Sequence, residues 1–223
     1  MNICKMPFTP REIEVLPLVI SAPRFSTYLR ARGGDIEEAL RLYRWNLEVS
    51  SALLVALQLC EVSVRNSIAT AIENTYGPSW PWNRGFQISL KTSRHGYSPR
   101  CNLIDLAKRA PATSKIVAEL KFIFWEQMFT ARHDQAIWNR QLKIVFPNCD
   151  CTNTVQQLRT YGLKELNKIR VLRNRIAHHE PILENNIQQE YERIRLMIAW
   201  TNDTTAEWLD KIERVRHLIG QMP

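Results

Sequence analysis

From Asp35 to Tyr76 the chain runs without a proline or a glycine, and its apolar residues are densest between Leu53 and Ile68. A breaker-free segment of that length predicts one long, largely buried helix, opened by Asp35 ahead of Ile36-Glu37-Glu38 and closed by Gly77-Pro78. Such a helix has to be covered by other elements, and the rest of the sequence supplies helices to do it. Thr9-Pro10-Arg11-Glu12 combines a capping hydroxyl, a proline at the first helical position and a glutamate three residues after the cap, which predicts a short helix. Apolar spacing is helical again over Ser114 to Phe129 and Asp134 to Phe146, where Pro147 stops the second run. Further helices are expected over Thr154 to Tyr161, Leu163 to His179, Asn186 to Trp200 and Thr205 to Leu218, the last behind a capping box, Thr204-Thr205-Ala206-Glu207. The aromatic residues Phe122, Phe124, Trp125, Phe129, Trp138 and Phe146 read as core. No stretch alternates with period two, and there is no fixed repeat or heptad run. The expected fold class is all-α, a helical bundle forming a single domain over residues 1–223.

The formal net charge of +8 predicts a positive surface potential that favours phosphate polymers or anionic membranes as partners. The strongly apolar stretch Ala52 to Cys60 is about half of the roughly 20 residues that a spanning helix needs. The N-terminus has no basic segment followed by an apolar signal core, so a cytoplasmic location without a membrane partner is expected. Cys4, Cys60, Cys101, Cys149 and Cys151 are odd in number and read as reduced thiols. Cys149-Asp150-Cys151 lacks a second ligand pair at finger-like spacing, so no metal is expected there.

Between Asn74 and Ile104 there is no acidic residue, while Arg84, Lys91, Arg94 and Arg100 stand beside Trp80, Trp82, Phe86 and Tyr97. This basic aromatic segment, near 77–101, reads as a loop. Cations interleaved with aromatics can hold single-stranded RNA by phosphate contact and base stacking, and a solvated loop whose aromatics tuck onto the core shows the same composition.

Chemistry concentrates further along, in Arg173-Asn174-Arg175-Ile176-Ala177-His178-His179. Leu166, Ile169, Leu172 and Ile176 form an apolar stripe, while Arg170, Asn174 and His178 are i, i+4 neighbours on another face. Metal-free RNA cleavage needs a base for the 2′-hydroxyl, an acid for the leaving 5′-oxygen and cations for the charge on phosphorus, and histidine with arginine supplies all three. Arg173 and His178 stand about 140° apart on a continuous helix, so one copy does not easily aim both at one phosphate, and a two-fold dimer would supply the rest. Spacing alone is equally compatible with a solvated helix end whose histidines meet carbonyls and Glu180.

The run from Arg173 to Ile182 resembles the signature of the Abi-like proteins, a branch of the HEPN superfamily linked to abortive infection. Tyr43-Arg44-Trp45-Asn46, Glu61-Val62-Ser63-Val64-Arg65-Asn66, Tyr76-Gly77-Pro78, Phe124-Trp125-Glu126-Gln127-Met128-Phe129 and Trp138 through Phe146-Pro147 look like that family's segments in the family's order, so the likeness covers roughly residues 12 to 215. It implies a HEPN-like helical bundle with additional helices and an Arg-x4-6-His motif. It also implies a metal-independent endoribonuclease, without cofactor, built across a homodimer. Arg173 is then the motif arginine, Asn174 the polar residue beside it and His178 the motif histidine, with His179 also at a permitted spacing. Arg175 is either a phosphate contact or a solvated neighbour. Glu61 and Arg65 either form an intrahelical salt bridge or, with Asn66, face the motif helix and orient the histidines. The setting implied is a toxin-like effector of phage defence, silenced by an RNA or protein antitoxin. Some HEPN proteins bind RNA or a partner without cleaving, so a non-catalytic binding module is the alternative.

Overall fold

A computed structural model describes residues 6–223, and Cys4 lies outside the described residues. Every regular element among them is a helix, and the fold is all-α. The helices are α1 (Pro10–Ile20), α2 (Ala22–Ala31), α3 (Ile36–Tyr76), α4 (Arg84–Ser89), α5 (Pro99–Arg109), α6 (Thr113–Glu119), α7 (Phe122–Met128), α8 (Asn139–Val145), α9 (Val155–Ala177), α10 (Ile187–Thr201), α11 (Asp203–Ile212) and α12 (Val215–Ile219), with single tight turns at Trp80–Trp82 and Ala131–His133 and a wide π-turn at Asp134–Trp138.

Local chemistry accounts for most of the ends. Thr9 and Glu12 close the expected capping box at α1, and the Asp35 carboxylate accepts from the Glu38 amide at 2.9 Å. Gly77 ends α3 at a φ of 84°, a conformation that glycine adopts without steric cost. At α11 the cap is Asn202, which accepts from the Thr205 amide at 2.9 Å, so the helix starts earlier than a box at Thr204 would place it. The run expected over Ser114 to Phe129 is broken at Leu120-Lys121, and the segment near 77–101 is a loop only in part, since it holds α4 and the turn at Trp80–Trp82.

Along α3, Leu42, Trp45, Val49, Leu53, Leu57, Cys60, Val64, Ile68 and Ile72 are buried at three- and four-residue steps, as in a helix lying on a core. Among the described residues α3 is also the one helix long and apolar enough, by length and composition, to cross a membrane, a property that core helices share. Its apolar window is wider than Ala52 to Cys60.

The chain gathers into two compact units. One holds the residues up to Ala56, Leu172–Glu192 and Ile212–Pro223. Its core includes Phe25, Tyr28, Trp45, Leu172, Ile176, Ile182 and Tyr191, and the Trp45 indole donates to the Leu218 carbonyl at 2.7 Å. The other holds Leu57–Val171 and Arg193–Lys211. Its core is aromatic: Phe129 stacks on Trp138 with centroids 4.9 Å apart, and Phe124 meets Trp125 edge-on at 5.0 Å. All six aromatic residues expected in the core are buried.

The two helices expected on either side of Gly162 are one helix, α9. The glycine is there for packing, because a Cβ on it would stand 2.6 Å from the Phe129 ring. Gly162→Ala should therefore destabilise the protein by about 1–3 kcal/mol by overpacking a buried ring. A urea midpoint equal to that of the parent would show that the ring yields freely.

Candidate active site at the end of α9

The apolar stripe that orients the end of α9 is present, with Leu166, Ile169, Leu172 and Ile176 all buried. The helix stops at Ala177, and its termination places the histidines. The His179 amide donates to the Ile176 carbonyl at 3.0 Å and the Glu180 amide to the Arg175 carbonyl at 2.8 Å, while His179 has a φ of 58°. This pair of bonds around one left-handed residue is a Schellman cap, with His179 where glycine is usual. His178 stays in helical register, its amide bonded to the Asn174 carbonyl at 2.9 Å. Both histidines are exposed.

Exchanging the strained residue separates its backbone role from its chemistry. His179→Gly should stabilise the protein by about 0.5–1 kcal/mol, because glycine takes φ > 0 without a Cβ clash and loses only part of that gain to unfolded-state entropy. The change in urea midpoint measures it.

The three arginines of this segment have different surroundings. The half-buried Arg170 forms an ion pair, Nε to Oε2 at 2.5 Å, with Glu126, whose side chain is 8% exposed. Asn167 donates to the other Glu126 oxygen at 3.3 Å. Arg175 donates from Nη2 to the Pro181 carbonyl at 2.7 Å and stands 3.6 Å from the Glu180 carboxylate, so it fastens the turn that follows the helix. Arg173 is exposed and meets only the Asn174 side-chain oxygen, at 3.5 Å, with no carboxylate partner among the described residues.

The turn beyond the motif is anchored by a residue of α3 to which the sequence pattern assigned no role. Asn46 on α3, 5% exposed, accepts from the Ile182 amide at 3.0 Å. Its signal was a polar side chain among the buried positions of α3. Beside the turn, Thr27, Arg30 and Ala31 of α2 line a cleft with Arg175, Pro181 and Glu184. Arg30 brings a further cation next to the motif that the helix pattern did not indicate.

Glu61 and Arg65 form no ion pair with each other, and neither is fully buried. Arg65 and Asn66 line a groove with Glu73, Pro78, Trp80 and Thr113. Arg84, Lys91 and Arg94 are exposed. Arg100 donates to the Gln87 carbonyl at 2.8 Å and to that of Ile88, which makes it a fastener of the segment before α5. Trp80 and Phe86 are buried and the Tyr97 hydroxyl is bonded to Asn102, whereas the Trp82 indole donates to the Ala107 carbonyl with its ring 41% exposed.

Cys60 is buried and its thiol is pushed up to about 12 by that burial. Burial also raises Cys149. The Asp150 carboxylate between Cys149 and Cys151 accepts from Thr152 and Asn153. Among the described residues no three His, Cys, Asp or Glu side chains are grouped to hold a metal ion.

Compared with family models, with curated proteins and with solved structures, the chain matches none.

Proposed function

We propose that the chain is a metal-independent endoribonuclease of the HEPN type, acting through Arg173 and His178. The observation that carries this reading is the contrast among its arginines. Arg170 and Arg175 are held by Glu126 and by the turn at Glu180-Pro181, whereas Arg173 is exposed, as are the two histidines that follow it in the sequence. A cation without a carboxylate partner and imidazoles within a few residues of it are what a phosphodiester requires.

In the reaction one imidazole takes the 2′-hydroxyl proton as the 2′-oxygen attacks phosphorus. A second protonates the departing 5′-oxygen, and arginine offsets the charge on the non-bridging oxygens. The products carry a 2′,3′-cyclic phosphate, or a 3′-phosphate after its hydrolysis, and a 5′-hydroxyl. His178 is favoured over His179 as the acting histidine because it keeps helical register with Asn174. The second imidazole comes from a second copy of the chain across a two-fold axis. Exposed Leu47, Leu54 and Val55 on α3 offer apolar surface for such a homodimer. The +8 charge suits RNA as the substrate. The setting is that of a cytoplasmic, toxin-like effector of phage defence held silent by an RNA or protein antitoxin.

Arg173→Ala tests the reading. Losing the charge that stabilises the transition state should lower the cleavage rate about 10²–10³-fold. Filter binding on the same RNA should change far less. An unchanged rate removes Arg173 from the chemistry, and RNA binding without any cleavage by the parent protein favours the non-catalytic module.

A further inference from the structure

Within the second unit, a cleft of about 450 Å³ is lined by Leu90, Lys91, Gln127, Arg132, His133 and Leu163, with Glu126 as its carboxylate. No residue of the Arg173 to His179 segment lines it. Its wall is largely apolar, and Leu90 and Met128 are buried there. Two polar atoms on its lining residues have no hydrogen-bond partner although they are buried, Nδ1 of His133 and Oε1 of Gln127. His133 is only 2% exposed. Leaving such an atom unsatisfied costs about 1–3 kcal/mol, which a turn of either side chain toward a bound molecule with a complementary edge would recover.

Charge at the cleft favours an anion. Lys91 and Arg132 are exposed and without an ion pair among the described residues, and the Glu126 carboxylate is already paired with Arg170. Burial, with Arg132 adding to it, pushes the His133 imidazole down to about 4, so the ring is neutral near pH 7. A neutral imidazole both donates and accepts, which suits a heteroaromatic edge carrying both kinds of group. A cleft of this size falls within the range that holds small ligands.

We propose that this cleft binds a nucleotide, with the base against Leu90, Met128 and Leu163, its polar edge at His133 and Gln127, and its phosphate held by Lys91 and Arg132. The chemistry is shared by a free nucleotide and by one nucleotide of an RNA strand. It does not depend on cleavage at the α9 motif.

Calorimetric titration of the full chain tests this, with AMP, CMP, GMP and UMP, with inorganic phosphate, and with a short 2′-O-methyl oligonucleotide that cannot be cleaved through its 2′-oxygen. At least one mononucleotide should bind saturably, about tenfold or more tighter than phosphate. Lys91→Ala with Arg132→Ala, both at exposed positions, should weaken that binding about tenfold or more through loss of the charge-assisted contacts. Gln127→Leu should weaken the mononucleotide and leave phosphate unchanged. Tighter binding of the oligonucleotide with the same dependence on these residues identifies an RNA strand as the source, and the reverse order a free nucleotide; either supports the site. Absence of saturable binding at millimolar nucleotide, binding indifferent to the double substitution, or phosphate binding as tightly as every nucleotide would overturn it.

Discussion

The double variant His178→Ala, His179→Ala is expected to lose RNA cleavage by at least about 10³-fold, since a positioned acid and a positioned base contribute about 10²–10⁴ each. RNA binding should persist, because Arg173 and Arg30 remain at the site and the +8 charge is untouched. Both side chains are exposed, so removing them leaves no cavity in the core. His179 contributes to the fold mainly through its backbone, at the cap that ends α9. An alanine there carries the same left-handed strain, so thermal stability should stay close to that of the parent. Comparison with His179→Gly divides the effect: if His178 is the acting histidine, the glycine variant keeps its activity and the double variant does not.

Arg170→Met should act on stability instead, lowering it by about 3–5 kcal/mol, because Glu126 would then be a buried carboxylate without a cation. Asn167 offers only a 3.3 Å hydrogen bond to the other oxygen and cannot replace the charge. Denaturant unfolding measures the loss. Cleavage per folded molecule should fall far less than with Arg173→Ala. A stability change below about 1 kcal/mol would mean that Glu126 takes up a proton or water at little cost.

These contrasts show where sequence was informative. Caps are local, and Thr9-Glu12, Asp35 and Gly77 behave as their neighbours dictate. The apolar stripe of α9 and the aromatic core were likewise legible, because helical periodicity reports which face is buried. The partners of charged groups were not. Arg170 meets a carboxylate 44 positions away and Arg100 a carbonyl 13 away, and no spacing rule connects such residues. Gly162 looked like a boundary because its reason for being glycine, the Phe129 ring, is a tertiary contact. The turn at His179 was hidden for the opposite reason, since a non-glycine residue occupies the left-handed position. Glu61 and Arg65 have the spacing of an ion pair without forming one, and the Arg65 Nε is buried without a hydrogen-bond partner. At the candidate site, the residues of the motif were legible as a string, while the separation of a free Arg173 from the structurally held Arg170 and Arg175 required the fold.

Cutting RNA without a metal is the property that we propose for these residues. It is tested most directly by incubating the purified protein with end-labelled RNA in excess chelator and analysing the fragment ends. Undiminished cleavage is expected, leaving 5′-hydroxyl and 2′,3′-cyclic phosphate or 3′-phosphate ends. Loss of cleavage in chelator, or fragments bearing 5′-phosphates, would contradict it.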